Sequence, residues 1–156
     1  MIAPLLECWQ TCLDLEIVQM YPIFAARMGE AYLAAGDVDA ASEILSVPER
    51  LDVPLAEHAF GWRYLFVAKG RAFLAAGRYA EAQAAAKRAL ALAEERGEPP
   101  QQAYALKLLG DIESVSCGLD RSEAPLHFQR ALELAKKCGM RPLVALCSAA
   151  LSSHHV

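Results

Sequence analysis

Residues with a branched Cβ are scarce in this chain of 156 residues, because Val, Ile and Thr together supply only 14 positions. Alanine and leucine, in contrast, supply 30 and 22 positions. Branched side chains lose rotational freedom in a helix and favour strands, whereas Ala and Leu are strong helix formers. We therefore predict an all-α fold. The hydrophobic share of 55% also excludes a disordered chain.

Basic stretches, long apolar runs and export signals are lacking as well. The net charge is −4, without the basic stripe that contacts with a phosphate backbone require, so we expect no nucleic-acid partner. The apolar runs are far shorter than the roughly 18 residues of a membrane span, and no signal peptide is evident, so we expect no membrane association. The five cysteines form an odd set without a CxxC pair, which is typical of reduced thiols. We expect a cytoplasmic protein.

Catalytic motifs are also lacking. There is no Gly-rich phosphate loop, no GxSxG and no HExxH, so we expect neither an enzyme nor a bound cofactor. Cys8 and Cys12 are spaced to reach one metal ion, but with no His or third Cys nearby, apolar packing is the simpler interpretation. His127 is interpreted as a solvated or half-buried helix residue, and His154 and His155 as part of a frayed tail. We predict no catalytic residue and no metal site.

What the chain does contain is an internal repeat. The segment GEAYLAAGD, which begins at Gly29, returns as GRAFLAAGR beginning at Gly70, and a third copy begins around Gly110. The three glycines are 41 and 40 residues apart, and an alanine-centred helix follows each copy. Self-similarity at a fixed period of this size indicates helical hairpins stacked as a solenoid.

The repeats predict eight helices, at about 2–14, 20–35, 37–47, 54–76, 78–96, 99–116, 121–138 and 142–152. Gly36 and Gly77 are placed where a tight turn between helices needs a residue without a Cβ, and Asp37 is a good N-cap. The segment from Ser46 to Val53, which contains Pro48, is predicted to be a loop. We interpret it as a plain connector, with a hinge as the alternative.

The recurrent residues resemble the tetratricopeptide repeat. In the second copy the matching residues are Phe66, Gly70, Phe73, Gly77, Tyr79, Ala82 and Ala89. In the third copy they are Leu106, Leu109, Gly110, Ala124, Phe128 and Ala131, and in the first they are Gly29, Tyr32, Gly36, Ala41 and Leu45. The period of about 40 exceeds the 34 residues of the usual repeat. It is similar to that of a subgroup found in large bacterial signalling ATPases, cyclases and transcriptional activators.

The resemblance implies a right-handed superhelical stack of antiparallel hairpins, with residues 1–156 as a single domain. Its repeats would be about 20–47, 54–96 and 99–138, with half repeats at 1–14 and 142–152. It also implies a concave groove, lined by the first helix of each hairpin, that binds a protein or peptide partner. Carried over by register, the groove residues are Ile23, Ala26, Glu30 and Leu33, then Tyr64, Val67, Arg71 and Leu74, then Tyr104, Lys107, Asp111 and Ser114. The alternatives are that the tyrosines only pack between hairpins, or that the array senses a small molecule bound between helices.

The half repeats predict apolar surface at the two ends of the array. On the first helix this surface would comprise Leu5, Leu6, Trp9 and Cys12, and on the last helix Leu143, Leu146 and Leu151. Exposed apolar patches usually mark association surfaces, so we expect a homodimer formed through one of these ends. The alternative is that the apolar side of the first helix already faces the helix from Tyr21 to Leu33.

Overall fold

The computed structural model describes residues 2–54, 59–116 and 123–154. These residues form eight α-helices and one 3₁₀ helix, and no strand occurs among them, so the predicted all-α class is confirmed. In chain order the α-helices are α1 Ile2–Asp14, α2 Tyr21–Ala34, α3 Val38–Arg50, α4 Ala59–Ala75, α5 Tyr79–Glu95, α6 Pro99–Val115, α7 Ala124–Lys137 and α8 Arg141–His154. The 3₁₀ helix Val18–Met20 leads directly into α2. Within the described ranges, no helix has both the length and the apolar content that a bilayer crossing needs.

Most helix boundaries lie within two residues of the predicted ones, but the end of α3 does not. We expected a loop from Ser46 to Val53, and this prediction is wrong because α3 continues through Pro48 to Arg50. A proline inside a helix removes one hydrogen bond and crowds the preceding turn. Pro48 is almost fully buried, so contact of its ring with the core offsets that loss. Residues 55–58 and 121–122, which belong to the predicted fourth and seventh helices, lie outside the described residues.

The turn between α2 and α3 shows why glycine recurs after the first helix of a hairpin. Gly36 has a φ of 81°, a left-handed conformation that costs little without a Cβ. Its N–H donates to the carbonyl of Leu33, and the N–H of Asp37 donates to that of Tyr32, each at 3.0 Å. The Asp37 carboxylate accepts from the N–H of Ala40 at 3.0 Å, so the predicted N-cap is confirmed. Equivalent turns, all with positive φ, occur at Gly77, Gly97 and Gly139.

The chain divides into two compact units, Met1–Ala82 and Gln83–Val156. In the first unit, α2 packs against α1, α3 and α4, and α3 also packs against α4. Lys69 of α4 forms an ion pair with Glu49 of α3, with an N–O distance of 2.5 Å. This pair and the shared apolar core hold α4 onto the α2–α3 hairpin.

In the second unit, α7 packs against both α6 and α8. Gln102 Nε2 of α6 donates to the carbonyl of Ala93 in α5 at 3.2 Å, which attaches the end of α5 to α6. The buried core between these helices is formed by Ala103, Leu106, Ala131, Ala135, Leu143 and Cys147. Leu143 is therefore part of the core rather than of an exposed end, whereas Leu146 is 55% exposed.

Two of the recurrent glycines, Gly29 and Gly110, lie where helices approach closely. A Cβ placed on Gly29 would lie 2.6 Å from Cγ of Leu45, and one placed on Gly110 would lie 2.7 Å from Cε1 of Phe128. The large side chain of the second helix therefore occupies the space above the glycine of the first. The alanines that open the second helix of each copy are fully buried, namely Ala41, Ala82 and Ala124.

Candidate protein-binding surface

In the first unit, the predicted groove residues on α2 and α4 form a connected polar and aromatic cluster. Glu30 accepts hydrogen bonds from Arg27 at 3.2 Å and from Arg71 at 3.0 Å. Two guanidinium groups lie near the ring of Tyr64, with Cζ of Arg27 at 5.6 Å and Cζ of Arg63 at 5.2 Å from its centre. Stacked Arg and Tyr side chains attract each other through the ring quadrupole. We call Arg27, Glu30, Arg63, Tyr64 and Arg71 the arginine–tyrosine cluster.

The apolar groove residues of the first unit differ in how much surface they offer. Ile23 and Leu33 of α2 and Leu74 of α4 are half-buried, so each contributes part of its side chain to the surface. Ala26 and Val67, at 2% and 7% exposed, belong to the core instead. The accessible part of this face is thus narrower than predicted.

In the second unit, the predicted groove residues lie on one side of α6. Tyr104, Lys107 and Asp111 step by three and four residues, and helical positions with this spacing share a face. Lys107 Nζ lies 2.5 Å from Asp111 Oδ2, and Tyr104 is 37% exposed. Ser114 donates to the carbonyl of Gly110 at 2.7 Å. Of this group, Tyr104 offers the largest apolar surface.

Sequence reasoning missed Arg27 and Arg63 as members of the site. Arg27 lies three residues before Glu30, and side chains at this spacing on a helix are neighbours. The contact between Arg27 and Glu30 could therefore have been predicted from the sequence. Arg63 directly precedes Tyr64 and is only 3% exposed. The periodicity of the sequence does not predict that an arginine at this position is buried. With both included, the arginine–tyrosine cluster contains three arginines, one glutamate and one tyrosine.

The predicted association surface on α1 is largely covered. Trp9 and Cys12 are each 7% exposed, and the Trp9 ring meets the ring of Tyr21 edge-on with centres 5.4 Å apart. The apolar side of α1 thus faces α2, as the alternative interpretation held. Leu5 is half-buried, and Leu6 is 43% exposed.

This packing predicts different reactivity for the two thiols of α1. Burial, and secondarily the neighbouring Cys8, raises the pKa of Cys12, so little reactive thiolate forms near neutral pH. Cys8 is exposed. We expect iodoacetamide to modify Cys8 at least several-fold faster than Cys12 in the reduced protein at pH 7.5, as read by peptide mass spectrometry. Urea-unfolded protein, in which both should react alike, is the control. Equal rates in the folded protein would contradict the docking of α1 on α2.

A surface cavity lies among the described residues of each unit. The cavity of the first unit has a volume of about 250 Å³ and lies between α3 and α4, where Lys69, Glu49 and Phe73 line it. The cavity of the second unit, about 330 Å³, lies along α7, where Glu123, His127 and Arg130 contribute to its lining. Neither cavity contains a residue of the arginine–tyrosine cluster.

Comparison of the sequence with models of known protein families finds no match, and comparison with curated proteins finds none either.

Proposed function

We propose that this chain is a non-enzymatic interaction module that binds a peptide or helix of a partner protein, as part of a regulatory protein. Three further features belong to the proposal: a solenoid of tetratricopeptide-like hairpins, a right-handed superhelix and a cytoplasmic location. Recurrence of the same glycine turn and the same glycine-to-large-residue contact supports the solenoid. The described thiols are free, which supports a reducing compartment.

The arginine–tyrosine cluster is the observation that carries the proposal. Tyrosine and arginine are enriched among the residues that dominate binding energy at protein interfaces. Tyrosine offers a large surface at a small entropic cost, and arginine offers directional hydrogen bonds to carboxylates. Arg27, Arg71 and Glu30 have side chains that are 55%, 41% and 32% exposed, and their mutual contacts hold them in place before a partner arrives. A partner segment with a carboxylate beside an apolar anchor would match this surface.

A capture experiment with a multiple variant tests this function. We expect the full chain to retain a partner from a lysate of its source, and the variant Tyr64→Ala/Arg71→Ala/Tyr104→Ala/Lys107→Ala to lose it while its circular dichroism stays helical. The matched control replaces Lys87, Arg88, Lys136 and Lys137 by alanine, because these cations are exposed and lie outside α2, α4 and α6. Retained binding by the folded first variant, or equal loss in the control, would contradict the proposal.

The second candidate is a regulatory domain that senses a small molecule between its helices. The surface cavity between α3 and α4 favours it, because Lys69, Glu49 and two serines line this cavity next to Phe73. Its volume of about 250 Å³ is below the roughly 300–1,000 Å³ of typical ligand pockets. Both serine hydroxyls, Ser42 and Ser46, already donate to carbonyls of their own helix. Partner binding is therefore the better supported function.

A further inference from the structure

A buried carboxylate faces a histidine between α6 and α7. The side chain of Glu113 is 3% exposed, and its Oε2 lies 2.8 Å from Nδ1 of His127, whose side chain is 17% exposed. Removing a carboxylate from water is costly unless a cation or strong donor faces it. Helices α6 and α7 approach closely where Gly110 meets Phe128. Gly110 lies one turn before Glu113, and Phe128 directly follows His127, so this approach brings the carboxylate and the imidazole together.

A second carboxylate completes a set of three potential ligands. Glu123 lies at the N-cap of α7 but makes no capping hydrogen bond with its side chain, so its oxygens are not used there. It is four residues before His127 and therefore on the same side of α7. One ligand atom from each of Glu113, Glu123 and His127 lies within 4.8 Å of the other two.

We propose that Glu113, Glu123 and His127 bind one divalent transition-metal ion of the zinc, cobalt or manganese class. One imidazole nitrogen and two carboxylate oxygens suit ions of this borderline hardness, and the two carboxylates balance the charge of the ion. Bonds of roughly 2.0–2.2 Å place the ligand atoms of a tetrahedral site about 3.3–3.6 Å apart. Side-chain movements of up to about 1 Å would therefore complete the site.

The surroundings of the three residues also fit a metal site with an open position. The cavity of about 330 Å³ is lined by both Glu123 and His127, which gives an ion an entry path and leaves room for water as a further ligand. Ser116 lies one turn after Glu113, and its buried hydroxyl has no hydrogen-bond partner among the described residues. Arg130, the cation in the cavity wall, lies 3.7 Å from the carboxylate of Glu94, which offsets its repulsion of a metal ion.

Titration with Co²⁺ alone tests the site. The full chain is used with His154→Ala and His155→Ala, which remove the adjacent terminal histidines, in a non-thiol reductant. We expect one Co²⁺ per chain, a visible ligand-field spectrum without a thiolate charge-transfer band, and a thermal midpoint that rises with Co²⁺. Glu123→Gln and His127→Gln should each weaken binding at least about tenfold. Glu133→Gln, in the same cavity but outside the set, is the control and should leave the affinity unchanged.

Three results would overturn the proposal: no saturable Co²⁺ binding at submillimolar concentration, a thiolate charge-transfer band, or equal affinity in the parent, Glu123→Gln and His127→Gln. Glu113→Gln should also lose the ion, but it replaces a buried charged group and so also affects folding. Glu123→Gln decides the test, because Glu123 is exposed. Variants that bind Co²⁺ as the parent does would leave Glu113 and His127 as a structural ion pair.

Discussion

Replacing Phe128 by alanine is expected to lower the free energy of unfolding by about 3–5 kcal/mol, the range typical of removing a large aromatic side chain from a core. Phe128 is 1% exposed, and its ring edge fills the space above Gly110 of the neighbouring helix. The substitution leaves a cavity that rigidly packed helices only partly close. Urea denaturation followed by circular dichroism at 222 nm measures the loss.

Leu126→Ala is the matched control for this prediction. Leu126 lies two residues away on α7 but is 58% exposed, so its truncation should change the free energy of unfolding by no more than about 0.5 kcal/mol. If the two variants unfold at the same urea concentration, the orientation of α7 in the structure is wrong.

The fold class and most helix boundaries could be predicted because they depend on local properties of the chain. Abundant Ala and Leu predict helices, and a glycine such as Gly36 marks a turn wherever positive φ is needed. The loop at Pro48 was wrongly predicted because proline, judged from the local sequence alone, is expected to end a helix. In the structure, burial in the core keeps Pro48 inside α3.

The candidate surface was predictable only in outline. Glu30 and Arg71 occupy equivalent positions of successive repeats, 41 residues apart. Because their charges are opposite, the sequence alone indicates that they could form the ion pair seen in the structure. The burial of Val67 could not be predicted in the same way, because burial depends on how helices that are distant in the sequence pack together.

The contact between Glu113 and His127 was beyond sequence reasoning for a further reason. The third copy has two extra residues between its helices, so pairs of residues across this hairpin are shifted by two positions relative to the first copy. The burial of Glu113 could not be predicted from the sequence either, since charged residues are rarely buried without a partner. The residues of α7 that face Glu113 are determined by the close approach of α6 and α7 at Gly110.

Adding a single methyl group at the close-approach glycines is expected to destabilise the protein. Glycine to alanine inside a helix normally stabilises by up to about 1 kcal/mol. At Gly29 the new Cβ would meet Leu45, and at Gly110 it would meet the ring of Phe128, in both cases at less than 3.0 Å. Both partner side chains are 1% exposed and cannot move without disturbing the core. We expect Gly29→Ala and Gly110→Ala each to cost about 1–3 kcal/mol by urea denaturation.

A double-mutant cycle separates the clash from any intrinsic effect of alanine at position 110. In the Phe128→Ala background the ring is gone, so Gly110→Ala should become neutral or stabilising as helix propensity takes over. The change of sign between the two backgrounds is the expected result, because the same methyl group clashes in one and fills empty space in the other. If Gly110→Ala stabilises in both backgrounds, α6 and α7 are farther apart than described, and the packing that brings Glu113 to His127 is contradicted with it.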